Sequence, residues 1–389
     1  MGGLSLVLLA LATALLFFAV IPGIGAFDVR RQWRVFRRRL EQTSLYPFLR
    51  YADLAGAEGA RGFRVFGELE AIQGRNRIWI NSGDFTVEAD LAGVRTYLLP
   101  SVSQARPGME ALPDEEPAVA PWSRVFSLPS GLRLFVGGTL YQEKGRGVFR
   151  SGPREPLLVV FYDGERESIL RRAIWGGRKK NEYWNQFTPA ALLTGFFCLA
   201  LLSFVSLRAP QAGLPAMLAL TLALAPAAPF LPPGVALYYL YRFFWKKARR
   251  LRAERDLLRL PLRYFPSASG GERVRLPTGE YYLMSRDPAL PVHGEPELRR
   301  CSLLGEPGAE NPPGEWLFGA VQEHDGRQAV GVPRDPMAEL VRVPGDPAVL
   351  AARCNRTAHG YELAAAACFG TGLGANLFVI LLLLRLLLR

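Results

Sequence analysis

FRRRLEQTSLYPFLRY runs from Phe36 to Tyr51, shortly after the first long apolar stretch of the chain. ARRLRAERDLLRLPLRY runs from Ala248 to Tyr264, shortly after the third. Each reads as an apolar stretch followed by arginines, a proline and Leu-Arg-Tyr. Beyond each, the texture changes to short alternating runs punctuated by glycine, a β pattern. A chain that writes the same order twice invites division into two like units, and the remaining features are weighed on that division.

Hydrophobic residues make up 49% of the 389, and mean hydropathy is +0.09. The excess sits in four uncharged blocks: Leu4 to Phe27, Phe187 to Leu207, Gln211 to Tyr241 and Leu363 to Leu384. Each is long enough to cross ~30 Å of hydrocarbon at 1.5 Å per residue. Span 1 is assigned to residues 1–27, span 2 to 187–207, span 3 to 211–241 and span 4 to 362–385. Span 1 lacks a basic leader and is followed by arginines, so it reads as a retained anchor rather than a cleaved signal. Pro226, Pro229, Pro232 and Pro233 predict a kink or break in span 3, with a re-entrant segment as the alternative.

The net charge of +12 is local. Six arginines lie in Arg30 to Arg39, five basic residues in Arg171 to Lys180, and eight in Lys246 to Arg263; the rest of the chain holds 28 basic and 33 acidic residues. Basicity confined to span flanks speaks for anionic headgroups and topology, and against nucleic acid as a partner. The flanks of spans 1, 2 and 3 agree that residues 28–186 and 242–361 face the cytoplasm and both termini face outward, as in a multi-pass inner-membrane protein. Val29, Trp33, Phe36 and Leu40 form one helical face. Two courses fit it: an amphipathic helix in the headgroup layer, or a continuation of the span into the cytoplasm. On the first, Arg30, Arg31, Trp33, Arg34, Phe36, Arg37 and Arg38 lie at the membrane interface, with Lys246, Lys247, Arg249 and Arg250 in the second unit.

The frame Gly-x-(Leu/Val)-x4-Gly-Arg occurs at Gly67 to Arg75, Gly138 to Arg146 and Gly319 to Arg327. It predicts hairpins with turns at Gly74, Gly145 and Gly326, where only glycine takes positive φ cheaply. GPREPLLVVFYDGERESIL from Gly152 matches VPRDPMAELVRVPGDPAVL from Val332 at an offset of 180. LPSG at Leu128 pairs with LPTG at Leu276, which leaves Asp287 to Glu315 as an inserted surface loop. The expected fold is therefore four helical spans and two β-rich cytoplasmic domains of small barrel or sandwich type, arising by internal duplication.

The run LPSGLRLFVGGTLYQEKGRGVF, then PLLVVFYDGERESILRR, then Trp184 before a span containing Gly195 and Phe196, resembles the later half of the GIDE domain. That module lies between the two spans of mitochondrial membrane-anchored E3 ubiquitin ligases. The resemblance covers about eighty residues and implies a membrane-tethered β domain. Ligase activity does not carry over, because a RING needs eight Cys/His ligands in paired spacing and this chain has 4 cysteines and 3 histidines with no CxxC.

No nucleophile elbow, phosphate loop or zincin motif occurs, and neither catalytic, cofactor-binding nor metal-ligating residues are assigned. Cytoplasmic thiols are expected to stay reduced; a Cys301–Cys354 disulfide would require the opposite orientation. A metal site with His293, His324 or His359 is the minor alternative. GTGLGAN in span 4 lies within an apolar run, and Ala366, Gly370 and Gly374 are assigned to helix packing. The expected function is non-enzymatic, with the two domains serving protein interaction, assembly or regulation through unidentified protein partners, and a homo-oligomer remains open. The alternatives are a membrane-bound enzyme with its site between the domains and a small transporter.

Overall fold

The computed structural model describes residues 3–56, 61–99, 118–124, 132–143, 145–152, 155–179, 182–208, 213–265, 273–302, 314–324 and 327–387. The chain opens with α1 (Gly3–Leu15), a π-helical turn (Leu16–Val20) and α2 (Ile21–Thr43), then a short α3 (Tyr51–Gly56). Strands β1 (Arg61–Gln73), β2 (Arg77–Asn81), β3 (Thr86–Asp90), β4 (Arg95–Leu98), β5 (Ala118–Pro121), β6 (Arg133–Glu143), β7 (Arg146–Arg150) and β8 (Leu158–Tyr162) precede α4 (Ile169–Lys179). Three helices follow: α5 (Thr188–Leu207), α6 (Gly213–Ala223) and α7 (Gly234–Arg259). Strands β9 (Arg273–Arg275), β10 (Tyr281–Ser285), β11 (Val292–His293), β12 (Glu297–Leu298), β13 (Glu315–His324), β14 (Arg327–Gly331) and β15 (Val341–Pro344) lead to α8 (Pro347–Leu387). The chain divides into a helical unit (Met1–Arg34, Asn181–Arg249 and Thr357–Arg389) and a β-rich unit (Val35–Lys180 and Arg250–Arg356).

Among the described residues, three helices are long and apolar enough to cross a membrane: Gly3–Thr43, Thr188–Leu207 and Pro347–Leu387. The third apolar block is not one helix. α6 stops at Ala223, a turn and a 3-10 segment (Ala228–Phe230) follow, and α7 begins at Gly234, so the four prolines break the helix where they cluster. Asn376 of α8 repairs the break. Its Nδ2 donates to the Ala228 and Leu231 carbonyls, at 2.5 and 2.8 Å, and its Oδ1 accepts from the Gly234 N–H. Pro22 leaves a similar debt, because it has no N–H for the carbonyl of Phe18 four residues earlier. The Tyr183 hydroxyl donates to that carbonyl at 2.8 Å.

In the β-rich unit, β1, β2, β3, β7 and β6 close into a ring, since β6 also pairs along β1 from Arg133 to Leu140. A sheet closed in this way is a small barrel, and β8, β4 and β5 extend it from the other edge of β6. Leu-Val-Val-Phe-Tyr of β8 is buried on both faces, as a continuous apolar run between two neighbours must be. The interior is filled by alternate residues, among them Phe63, Val65, Ile78, Ile80, Leu134, Val136 and Phe149. Gly137 in β6 admits the end of α2, because a Cβ there would stand 2.6 Å from Thr43 Cβ.

The second sheet runs β11-β14-β13-β10-β9, with β15 between β13 and β12. Leu283, Leu317, Val330 and Leu340 form its core. One expectation changes here. The segment from Asp287 is not an appended loop, for it contributes β11 and β12, which pair in parallel with β14 and β15. LPTG forms the turn between β9 and β10, with Gly279 at φ 91°, whereas LPSG lies outside the described residues. Leu157, Val160, Leu170, Met337, Leu340 and Leu350 are all buried.

Candidate functional site

α2 runs unbroken from Ile21 to Thr43, and α7 from Gly234 to Arg259, so the helical continuation is the course taken. In the helical unit, Arg31, Arg34 and Lys246 are exposed and Trp33 is buried. Glu182 gathers Arg30 Nη2 at 3.1 Å and Arg249 Nη2 at 3.3 Å. These guanidiniums, working against burial, hold the Glu182 carboxyl below its ordinary pKa. Arg249 stacks 4.3 Å over Trp245, and Lys247 4.2 Å over Phe243. In the β-rich unit Phe36 is fully buried and stacks on Tyr97 at 4.0 Å.

Gly74 and Gly145 occupy their turns at φ 63° and 78°; Gly326 lies outside the described residues. Gly370 and Gly374 have no atom within 4 Å of a built Cβ, and Ala366 is exposed. Within this chain the close approach is made instead by Gly372, whose Cβ would meet Leu237 Cβ at 3.1 Å, beside buried Ala365 and Asn376.

Several ion pairs in the β-rich unit join its two halves. Arg64 of β1 and Asp335 of the VPRDP stretch are both fully buried and meet at 2.5 Å. The Arg64 guanidinium also lies 4.2 Å over the Phe48 ring, and Asp335 Oδ1 accepts from the Met337 N–H at 2.9 Å. Nearby, Arg263 donates from Nε to Ser44 Oγ at 3.1 Å and from Nη2 to the Met337 carbonyl. Arg178 of α4 reaches Asp256 of α7 with Nε at 2.7 Å, and Arg37 Nε stands 4.0 Å from the same carboxylate. Arg299, 1% exposed, bonds Glu339 at 2.6 Å and Glu297 at 3.3 Å, while Arg171 reaches Glu297 from the first half at 3.4 Å. Burial alone would raise the Glu297 carboxyl, but Arg299 and Arg171 outweigh it and hold the pKa below the ordinary value. The fully desolvated Tyr282 hydroxyl, which donates to the Glu339 carbonyl at 2.7 Å, is pushed upward by burial.

The two Leu-Arg-Tyr stretches have different fates. Tyr51 is 73% exposed at the start of α3, whereas Tyr264 is 6% exposed and its ring meets that of Tyr282. Arg263 and Tyr264 line a cavity of about 410 Å³ together with Leu45, Pro47, Val274, Arg275, Leu276 and Pro277. A second cavity, of about 420 Å³, is lined by Val35, Arg38, Arg39, Gln42, Thr43, Tyr46, Gly138, Glu155 and Pro156.

Cys301 and Cys354 form a disulfide, contrary to the expectation of two separate reduced thiols. Buried Glu254 lies beside them and accepts hydrogen bonds from Arg250 Nε and from the Ser302 N–H and hydroxyl. Of these groups the sequence singles out Arg37, Arg250 and the cysteines, but not Arg64, Asp335, Glu254 or Arg299. The available signal was a charge inside an alternating strand at Arg64 and an aspartate within the repeated Pro-Arg-acid-Pro stretch at Asp335.

No protein-family model, no curated protein and no solved structure matches this chain.

Proposed function

We propose that this is a non-enzymatic inner-membrane protein. Its two β domains, derived by duplication, form a joined cytoplasmic platform for protein assembly or regulation. The observation that carries the reading is the Arg64–Asp335 bridge, fully buried between the two halves. Desolvating a charge pair is costly and is recovered only with close geometry, so the two halves are built to stay together as one surface.

Duplication draws support from strand pairing. β1·β6, β6·β7 and β6·β8 are antiparallel and β3·β7 and β4·β8 parallel; β10·β13, β13·β14, β13·β15, β11·β14 and β12·β15 repeat that series in the same order. The GIDE-like reading of the first domain fits a tethered module of this kind.

Domains joined by a buried bridge lie on one side of a membrane, so an even number of crossings separates them. Span 2 supplies one and the broken segment the other. α6 and the first turns of α7 in series reach about 34 Å, enough for the hydrocarbon. That arithmetic disfavours the re-entrant alternative. The three basic flanks point the platform to the cytoplasm, while the disulfide counts the other way.

In-cell crosslinking from the exposed face of the platform, followed by purification from membranes, tests the reading. A reproducible protein partner, lost when Arg64→Ala loosens the two halves, is expected. Crosslinks only to lipid or to no partner would count against it. The enzyme alternative has one observation in its favour, the 410 Å³ cavity lined by Leu45 and Pro47 from one half and Arg263 and Tyr264 from the other.

A further inference from the structure

Glu254 comes from the end of α7, Cys301 from the segment after β12, and Cys354 from the first turns of α8. Both sulfurs and a carboxylate oxygen of Glu254 lie within 4.8 Å of one another, and all three residues are buried. A disulfide has no proton to offer a carboxylate, so the sulfurs themselves contribute no hydrogen bond to Glu254. Arg250 Nε, 3.0 Å away, and the Ser302 N–H, at 3.1 Å, hold the carboxylate in place.

With the sulfurs reduced and ionised, the cluster carries three negative charges, and the ion pair it makes among the described residues is with Arg250. Buried charge of that kind requires compensation, and one divalent cation brings the sum to zero. Thiolate with carboxylate is a donor set suited to zinc. Ligand atoms around a tetrahedral zinc stand about 3.5–3.8 Å apart. The Glu254 carboxylate oxygen lies within 4.8 Å of both sulfurs, and the sulfurs, bonded to each other in the structure, part to that distance once reduced. We propose that the reduced pair, with Glu254, forms a site for a thiophilic divalent cation of the zinc class, with water as the fourth ligand. Ser302 and Arg250 orient the carboxylate from behind, as outer partners of metal ligands do.

A dithiol reductant supplies two electrons and two protons to open the S–S bond and closes to its own disulfide. The cation then displaces both thiol protons to solvent. Metal and disulfide are thus alternative ways of tying the β12 segment to α8, and the metal would add the end of α7 through Glu254. The site goes beyond the platform reading and does not depend on it; orientation decides only which form prevails in the cell.

The test is cobalt(II) titration of the full chain in detergent, after phosphine reduction and removal of metal by a chelator. One cobalt per chain is expected, with a thiolate charge-transfer band and tetrahedral visible bands, displaced by zinc. Oxidation of the thiols before titration should abolish the bands, and Glu254→Gln should weaken binding about 10-fold or more. A reduced chain that titrates for all 4 cysteines and gives no such band would overturn the proposal. So would a pair that resists reduction, or a band that survives Cys354→Ser.

Discussion

At the scale of the residue, Arg64 is the decisive side chain. Its guanidinium is fully buried against Asp335, 271 residues away in sequence. Removing one partner of such a pair strands the other, at a cost of about 3–5 kcal/mol, while replacing both with apolar groups of similar volume costs far less. Urea unfolding of the chain in detergent should show Arg64→Ala and Asp335→Ala each destabilising by that amount. The Arg64→Leu/Asp335→Leu double variant should be the more stable of the three. Glu297 adds a pH dependence. Its folded pKa lies below the unfolded value, so its contribution is complete above about pH 4.5 and is lost as pH falls through the folded value. Glu297→Gln should therefore lower stability at neutral pH and flatten the acid limb of the midpoint-versus-pH curve. In GFRVFG, alternation puts Phe63 and Val65 in the barrel and Arg64 on its other face. What the alternation cannot show is that this other face is covered by the second domain, so the charge reads as solvated until the partner is seen.

At the scale of the element, proline was legible and its compensation was not. The cluster from Pro226 to Pro233 announces the break between α6 and α7. The residue that satisfies the freed groups, Asn376, stands far along the chain inside GTGLGAN. Periodicity pointed to Ala366, Gly370 and Gly374, yet the face that meets α7 contains Gly372 and Asn376, because packing is set by the partner helix and not by spacing alone. Asn376→Leu should leave the Gly234 N–H unpaired, at about 1–3 kcal/mol for a buried group, while the Ala228 and Leu231 carbonyls keep the Leu231 and Val235 N–H groups as donors. Thermal denaturation in detergent should detect the loss, with Gly370→Ala as a neutral control. Tyr183→Phe, which strips the partner from the Phe18 carbonyl, should cost one such group only. The reading of Asp287 to Glu315 as an insertion failed for a related reason. Strands as short as β11 and β12, two residues each, carry no period-2 signal, and only their parallel partners define them.

At the scale of the whole molecule, we propose that both β domains face the cytoplasm as a single platform. The basic flanks, the shared β-rich unit and the parity of crossings support it, and the Cys301–Cys354 disulfide is the observation that opposes it. The most direct measurement places single cysteines at exposed Asp84 and Glu295, one in each domain. Intact cells expressing each variant are treated with a membrane-impermeant maleimide, with the unsubstituted chain as background. Neither site should label before the inner membrane is breached, and both should label afterwards. Labelling of either site in intact cells would contradict the account.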